Sequence, residues 1–271
     1  MAEAVEPPFN RPDRDFNPLD GWTWVGTDGG YYLQCNLLDS FEHGFFTRQW
    51  QGRGPEVLAG FISAGVSVHR LTQVHSATVL PASQAPGEPW PEADGLVSDG
   101  GGQSLWACGA DCTPVLLADP RSGQVAACHA GWRGVAGGIL AAAVEQLEAR
   151  GSRRSDLIAA LGPAISGERY PVERWVSERV AAALAPAGEP QPLPELMEAL
   201  RASDALQDDP EVPRDRLDIR LAASLQLERL GLPKAAIAIC PLCTADEPLL
   251  FHSWRRDQVK AVQWSGIVSQ A

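Results

Sequence analysis

Residues Ser104–Gly138 read SLWACGADCTPVLLADPRSGQVAACHAGWRGVAGG, and this stretch decides the fold. Its apolar runs are short and bounded by turn residues. SLWAC comes first, TPVLLAD next and QVAACHA last, with Pro120, Ser122 and Gly123 between the final two. Such runs read as strand, turn, strand, turn, strand, and the glycines after His129 open a helix. A hairpin of the last two strands brings their far ends together. Cys112 stands just before one strand and His129 near the close of the other, so a thiol and an imidazole are predicted side by side. Trp132 and Arg133 follow in a glycine-flanked loop.

A lone cysteine beside an apolar strand is most often packing. Two features point past that reading. Asp111-Cys112 and His129 sit at strand ends, where polar groups seldom fill a core, and a second histidine, His75, ends the strand-like run LTQVHSATVL. One soft thiolate and two imidazoles suit Zn²⁺ or copper, and three protein ligands leave a fourth position open for chemistry. The same side chains also suit a metal-free hydrolase, with Cys112 as nucleophile and His129 or His75 as base.

Working outward, residues 1–20 are acidic and proline-rich and read as a loose arm without the apolar core of an export signal. WTWVG and residues 31–38 are β-like, with Cys35 as packing. Residues 43–50 read as a strand delivering Arg48 to its end, either to solvent or to an anionic substrate group. Residues 68–80 read as one strand, whose alternation puts His69, Leu71, Gln73 and His75 on one face, His69 being an exposed neighbour. A loop over 81–93 leads to a short strand beginning near Asp94, whose Asp-Gly pair reads as turn chemistry.

Beyond the hairpin, 134–150 reads as one helix with Ile139, Leu140, Val144 and Leu147 on its apolar face and Gly151 as its stop. Its N-terminus would favour an anion. Residues 156–165 read as a strand and 173–185 as a helix. Residues 186–216 hold six prolines and eight acidic against three basic residues, which reads as a lid or insertion with one short helix. A helix over 217–230, a strand AAIAIC and a last strand LLFHSWRRD carrying Arg255 and Arg256 complete the chain. Cys240 and Cys243 form a single CxxC, a weak zinc signal without a second pair. No internal repeat is present.

The chain has 271 residues, 45% hydrophobic, enough for one large α/β or α+β domain over residues 21–271. A formal charge of −12 argues against nucleic acid and anionic membrane as partners. No apolar run is long enough to span a bilayer. Six cysteines in this length are no disulfide scaffold, and reduced thiols in a cytoplasmic protein are expected.

QVHSATV, EADGLVSD, GADCTPVLLAD, HAGWRGVAGGI, LGPAI followed by Tyr170, CT and FHSWRRD occur here in order. In that order and spacing they resemble the laccase-domain family, the YfiH-like proteins, formerly polyphenol oxidases and now regarded as purine nucleoside phosphorylases. The resemblance spans about 48–257. It implies a compact single domain with mixed and antiparallel sheets flanked by helices. It also implies a zinc site made by His75, Cys112 and His129, with copper second to zinc. Members are linked to phosphorolysis of adenosine, inosine, guanosine and methylthioadenosine, and to adenosine deamination. Purine nucleosides and phosphate are then the partners of a monomer or homodimer. Many members carry a cysteine where this chain has SGER, residues 166–169, so no further ligand comes from there, and Gly109 stands where threonine is common.

For phosphorolysis, Arg48 and the 129–134 loop with Arg133 are the candidate phosphate holders, Arg133 alternatively stacking on Trp132 as a structural residue, and Asp94 and Asp111 are the carboxylates nearest by motif. Three alternatives use the same residues. They are the metal-free Cys–His hydrolase, a binding protein for cell-wall precursor quality control, and copper-dependent polyphenol oxidation. The last asks for many more His and Cys ligands than five histidines supply.

Overall fold

The computed structural model describes residues 19–27, 30–185 and 188–270. The arm read over residues 1–20 lies outside the described residues except for Leu19 and Asp20. Two six-stranded sheets form the body of the molecule. One runs in the order Trp22–Thr27, Gly30–Cys35, His43–Phe46, Gln263–Val268, Gln103–Gly109, Ser67–His69. The other runs Ile237–Ile239, Ile158–Leu161, Thr113–Ala118, Val125–Ala130, Gly95–Val97, Val79–Pro81. Both are mixed: most neighbours are antiparallel, but Ser67–His69 pairs in parallel with Gln103–Gly109, and both outer pairs of the second sheet are parallel.

The sheets stack face to face. Leu33, Phe45, Leu105 and Ile267 of the first share one buried cluster with Leu96, Leu116, Ala127 and Ala160 of the second. The second sheet's other face, with Val115, Leu117 and Cys128, is covered by the helices Ile139–Glu148, Arg174–Ala182, Leu193–Ala202 and Ile219–Arg229. The first sheet's outer face packs Tyr32, Phe46 and Trp106 against Leu58 and Ala59 of the helix Pro55–Ile62. The layers therefore run helix, sheet, sheet, helices. This order explains why TPVLLAD is apolar throughout: successive side chains point to opposite faces, and both faces are buried. Truncating Leu116 or Leu117, each fully buried, to alanine should cost about 2–5 kcal/mol. The mixed α/β single domain expected from the sequence is what the chain forms.

Several elements differ from their sequence reading. Residues 68–80 are not one strand: Ser67–His69 and Val79–Pro81 belong to different sheets, and the chain between them is irregular. His69 is buried, not exposed, and its ring bonds Ser67 Oγ and Ala85 O. Asn36–Leu38 is a 3-10 turn that ends the second strand, and Arg48 lies in another, Arg48–Trp50. The single helix over 134–150 is two, Trp132–Ala136 and Ile139–Glu148, split where Gly138 turns left-handed at φ +83°. The first is a single short turn of helix, too brief to serve as the anion site read from its N-terminus. Residues 188–216 hold, besides the helix Leu193–Ala202, two strands that join Pro171–Glu173 in a small third sheet. Leu196, Leu200 and Leu206 from this segment are part of the core. LLFHSWRRD is a loop leading into the short helix Trp254–Asp257, and the last strand is Gln263–Val268. No helix among the described residues is long and apolar enough to cross a membrane.

Candidate metal centre

The hairpin does what its sequence requires. Thr113 pairs with Ala130 and Pro114 with His129, so Cys112, one residue before Thr113, meets His129 at the open end. His75 comes from the irregular 70–78 segment. One ligand atom from each of His75, Cys112 and His129 lies within 4.8 Å of the others, and these three are the group of His, Cys, Asp and Glu side chains able to share an ion among the described residues. The two imidazole rings sit edge to face with centroids 4.8 Å apart. His129 is buried, Cys112 half-buried and His75 exposed, so the cluster opens to solvent on the His75 side.

Asp94 builds this arrangement from beneath. Its carboxylate accepts from the backbone N–H groups of Val74 (3.2 Å), His75 (3.0 Å) and Ser76 (2.6 Å) and from Ser76 Oγ (2.8 Å). It also accepts from His129 Nδ1 at 2.8 Å. One buried side chain thus shapes the His75 loop and orients the His129 ring. Burial opposes its charge, but the His129 and Ser76 bonds outweigh that and hold its carboxyl at about 2. Where a metal takes the place of the second ring proton, an ionised Asp94 would hold the remaining one on Nδ1 and leave Nε2 as the lone-pair donor, the carboxylate–histidine pairing that orients metal ligands.

The backbone here is held in costly conformations. His75 (φ 61°) and Asp111 (φ 95°) are two of four non-glycine residues in the left-handed region among the described residues. Asp111 is buried, and its carboxylate accepts from Thr244 Oγ1 (2.6 Å) and from the backbone N–H of Arg255 (2.7 Å). It therefore ties the Cys112 turn to two loops. Gly131 permits the close approach: a Cβ there would lie 2.7 Å from Cys112 Sγ.

Electrostatics set the thiol apart. Burial pushes the Cys112 thiol up, but hydrogen bonds and charge from His129 and His75 more than reverse this and bring it down to about 6. Burial likewise pulls His129 down, and Asp94 and Cys112 raise it to about 9. A thiolate is therefore present at neutral pH, the form that binds metals. The donor set of one thiolate and two imidazoles, with one imidazole locked by a carboxylate, fits a zinc or copper ion.

Two small cavities meet at Cys112. Phe45, Phe46, Phe251 and Gln263 line one; Trp132, Tyr170, Ile165 and Ile219 line the other. Arg48 follows Phe45 and Phe46 in sequence but lines neither cavity. It donates from Nη1 to Pro248 O (2.5 Å) and forms no ion pair with a described residue. Arg133 is exposed and stacks over Trp132, 4.5 Å from the ring centroid. The structure thus brings His75, Cys112 and His129 together. Asp94 and Asp111 lie behind the cluster with their carboxylates committed to protein donors, not facing a ligand.

Residues 56–269 match the family described as multi-copper polyphenol oxidoreductase laccase. The chain belongs to this laccase family. A relative from Synechocystis sp. named purine nucleoside phosphorylase is 40% identical over 260 residues, covering 92% of this chain and 98% of its own. The crystal structure of YlmD from Geobacillus stearothermophilus superposes with a TM-score of 0.76 at 25% identity, covering 92% of this chain and 99% of that one. YfiH from Bacillus licheniformis gives 0.73 at 25%, covering 88% and 96%.

Within this laccase-family fold, local sequence reading missed two site features. Asp94 read as turn chemistry or as a substrate carboxylate, yet it organises the His75 loop and the His129 ring. Tyr170 lines the Cys112 cavity, and Arg255 lies 4.7 Å over its ring. Burial, then the Cys112 charge, pushes the Tyr170 hydroxyl up to about 12. The only sequence signals for that pair were the tyrosine after LGPAI and the arginines of FHSWRRD.

Proposed function

We propose that the chain is a zinc-dependent purine nucleoside phosphorylase, with adenosine deamination as a second activity of the same centre. The observation that carries this reading is the convergence of His75, Cys112 and His129 in a chain 40% identical, over nearly its whole length, to a protein of that name. Zinc held by these three side chains would supply Lewis acidity and positive charge at a position left open to substrate.

The chain's own residues have defined tasks. In phosphorolysis the bond from the anomeric carbon to the purine nitrogen breaks, a phosphate oxygen bonds that carbon, and base and ribose 1-phosphate leave. Asp94 keeps His129 in one tautomer and holds the His75 loop. Cys112 is kept ionised by its histidine neighbours. Arg48 has guanidinium N–H groups beyond the one on Pro248 and suits phosphate by bidentate contact. Trp132 and Tyr170 offer apolar ring surface for the purine at the Cys112 cavity. Asp111, committed to Thr244 and Arg255, is a positioning residue.

The other histidines favour one metal centre over a multi-copper array. His43 bonds Cys35 N and Phe41 O, His69 bonds Ser67 and Ala85, and His252 is buried near the charges of Arg48 and Arg256. The deciding experiment incubates zinc-loaded protein with inosine or adenosine, with and without phosphate, followed by product chromatography. Phosphate-dependent release of hypoxanthine or adenine with ribose 1-phosphate is expected, and Arg48→Ala should raise the KM for phosphate more than that for nucleoside. Base release independent of phosphate, or none, contradicts the reading.

A further inference from the structure

Beside the His75–Cys112–His129 cluster lies a groove of about 520 Å³, of which the proposed reaction uses Trp132 alone. Trp132, Arg133 and Arg179 line it together with the small residues Ala136, Gly137 and Ala182. Trp175 meets Trp132 edge to face at 5.3 Å and is 48% exposed. Each indole carries its own guanidinium: Arg133 over Trp132 at 4.5 Å and Arg179 over Trp175 at 5.3 Å. Trp175 and Arg179 are four residues apart on the helix Arg174–Ala182, which places them on one face. Neither arginine forms an ion pair with a described residue. The chain carries 34 Asp and Glu against 22 Lys and Arg, so two neighbouring guanidiniums without carboxylates form a local cationic surface on an acidic protein. Trp132 also lines the cavity at Cys112, so groove and ligand cluster share a wall.

We propose that this groove is a binding subsite for a purine nucleoside 5′-monophosphate. The choice of a purine rests on the proposed function; the choice of a phosphate ester rests on the groove. The volume falls within the range of roughly 300–1,000 Å³ usual for small-molecule sites. A purine ring stacks on indole, and a phosphate monoester accepts hydrogen bonds from two guanidinium forks. A neutral nucleoside leaves both guanidiniums unused. Inorganic phosphate leaves the indole of Trp132 unused. Only a ligand carrying both groups uses the whole groove.

The test is calorimetric titration of the full-length protein with AMP, adenosine, ribose 5-phosphate and inorganic phosphate. AMP should bind about ten-fold more tightly than any of the others, the size expected for one charge-assisted contact or one stacked base. Arg179→Gln should weaken AMP binding about ten-fold while leaving adenosine phosphorolysis unchanged. Arg179 is exposed, so the variant keeps the fold, and circular dichroism verifies this. AMP binding no tighter than adenosine or inorganic phosphate overturns the proposal, as does Arg179→Gln binding AMP like the wild type. Heat of binding and turnover are read separately. Protein that binds AMP as described but releases no base from any nucleoside defeats the phosphorylase reading and leaves the subsite standing.

Discussion

Two cysteine-bearing loops lie on either side of Asp111, and they use the same side chain in opposite ways. Cys112 sits between two imidazoles, and their bonds and charge overcome its burial and bring its thiol down to about 6. Cys240 sits among hydrocarbon side chains with Leu33, Phe251 and Cys35, and burial pushes it up to about 12. Its CxxC partner Cys243 accepts a hydrogen bond from the Ser166 N–H at 3.3 Å and binds no neighbouring histidine. The CxxC loop serves the centre only by position, since Thr244, next to Cys243, donates to Asp111. A cysteine's reactivity is thus set by the charges around it and not by its motif.

The largest effect should come from the two cysteines taken as a pair. Cys112→Ser should lower phosphorolysis by more than about a hundred-fold, beyond what loss of a supporting residue costs. Cys240→Ala should leave turnover near wild type. Product chromatography on both variants measures this. Equal losses in the two would erase the contrast.

Next in size is Asp94→Asn. It keeps the shape but removes the charge that fixes His129, so metal affinity should fall about 10–100-fold by chelator competition. An unchanged affinity would mean the ligands are positioned without Asp94.

The contrast also has a pH signature in the metal-free protein. The folded Cys112 lies at about 6, below its usual 9.0, so its stabilisation is present above that usual value and is lost as pH falls through about 6. His129 is raised from 6.5 to about 9, so its stabilisation is present below 6.5 and is lost as pH rises through about 9. The two titrate as a coupled pair, ionised together between those limits. Thiolate absorbance should therefore rise near pH 6, while the two contributions offset one another between 6.5 and about 9, so thermal stability should stay nearly flat across that window. In Cys112→Ser the rise near pH 6 should vanish, because Cys240 stays protonated throughout. The smallest effect is on folding: Cys240→Ala should cost on the order of 1 kcal/mol in denaturant unfolding, the loss of one small buried group.

The same contrast explains what could be read from the chain. The hairpin and its Cys112–His129 closure were legible because its strands are apolar on both faces and its turn residues are unambiguous. The His75 loop was not, because a distant carboxylate decides its shape. Asp94 collects three consecutive N–H groups, and alternation over 70–78 cannot register that. LLFHSWRRD read as a strand because its residues are apolar and aromatic. Arg256 instead bonds the carbonyls of Thr244, Ala245 and Phe251 and folds the segment into a loop. The strand Gln263–Val268 went unread because Ser265 and Gly266 interrupt its pattern, although Gly266 is what admits the Trp106 ring.

Everything proposed for the reaction depends on His75, Cys112 and His129 forming a metal centre. Elemental analysis of untagged wild-type protein and of Cys112→Ser, after zinc reconstitution and removal of free metal, tests it most directly. About one zinc per chain is expected in the wild type and far less in the variant. No bound metal in the wild type, or equal zinc in both, would contradict it; the second result with turnover lost would make Cys112 a nucleophile.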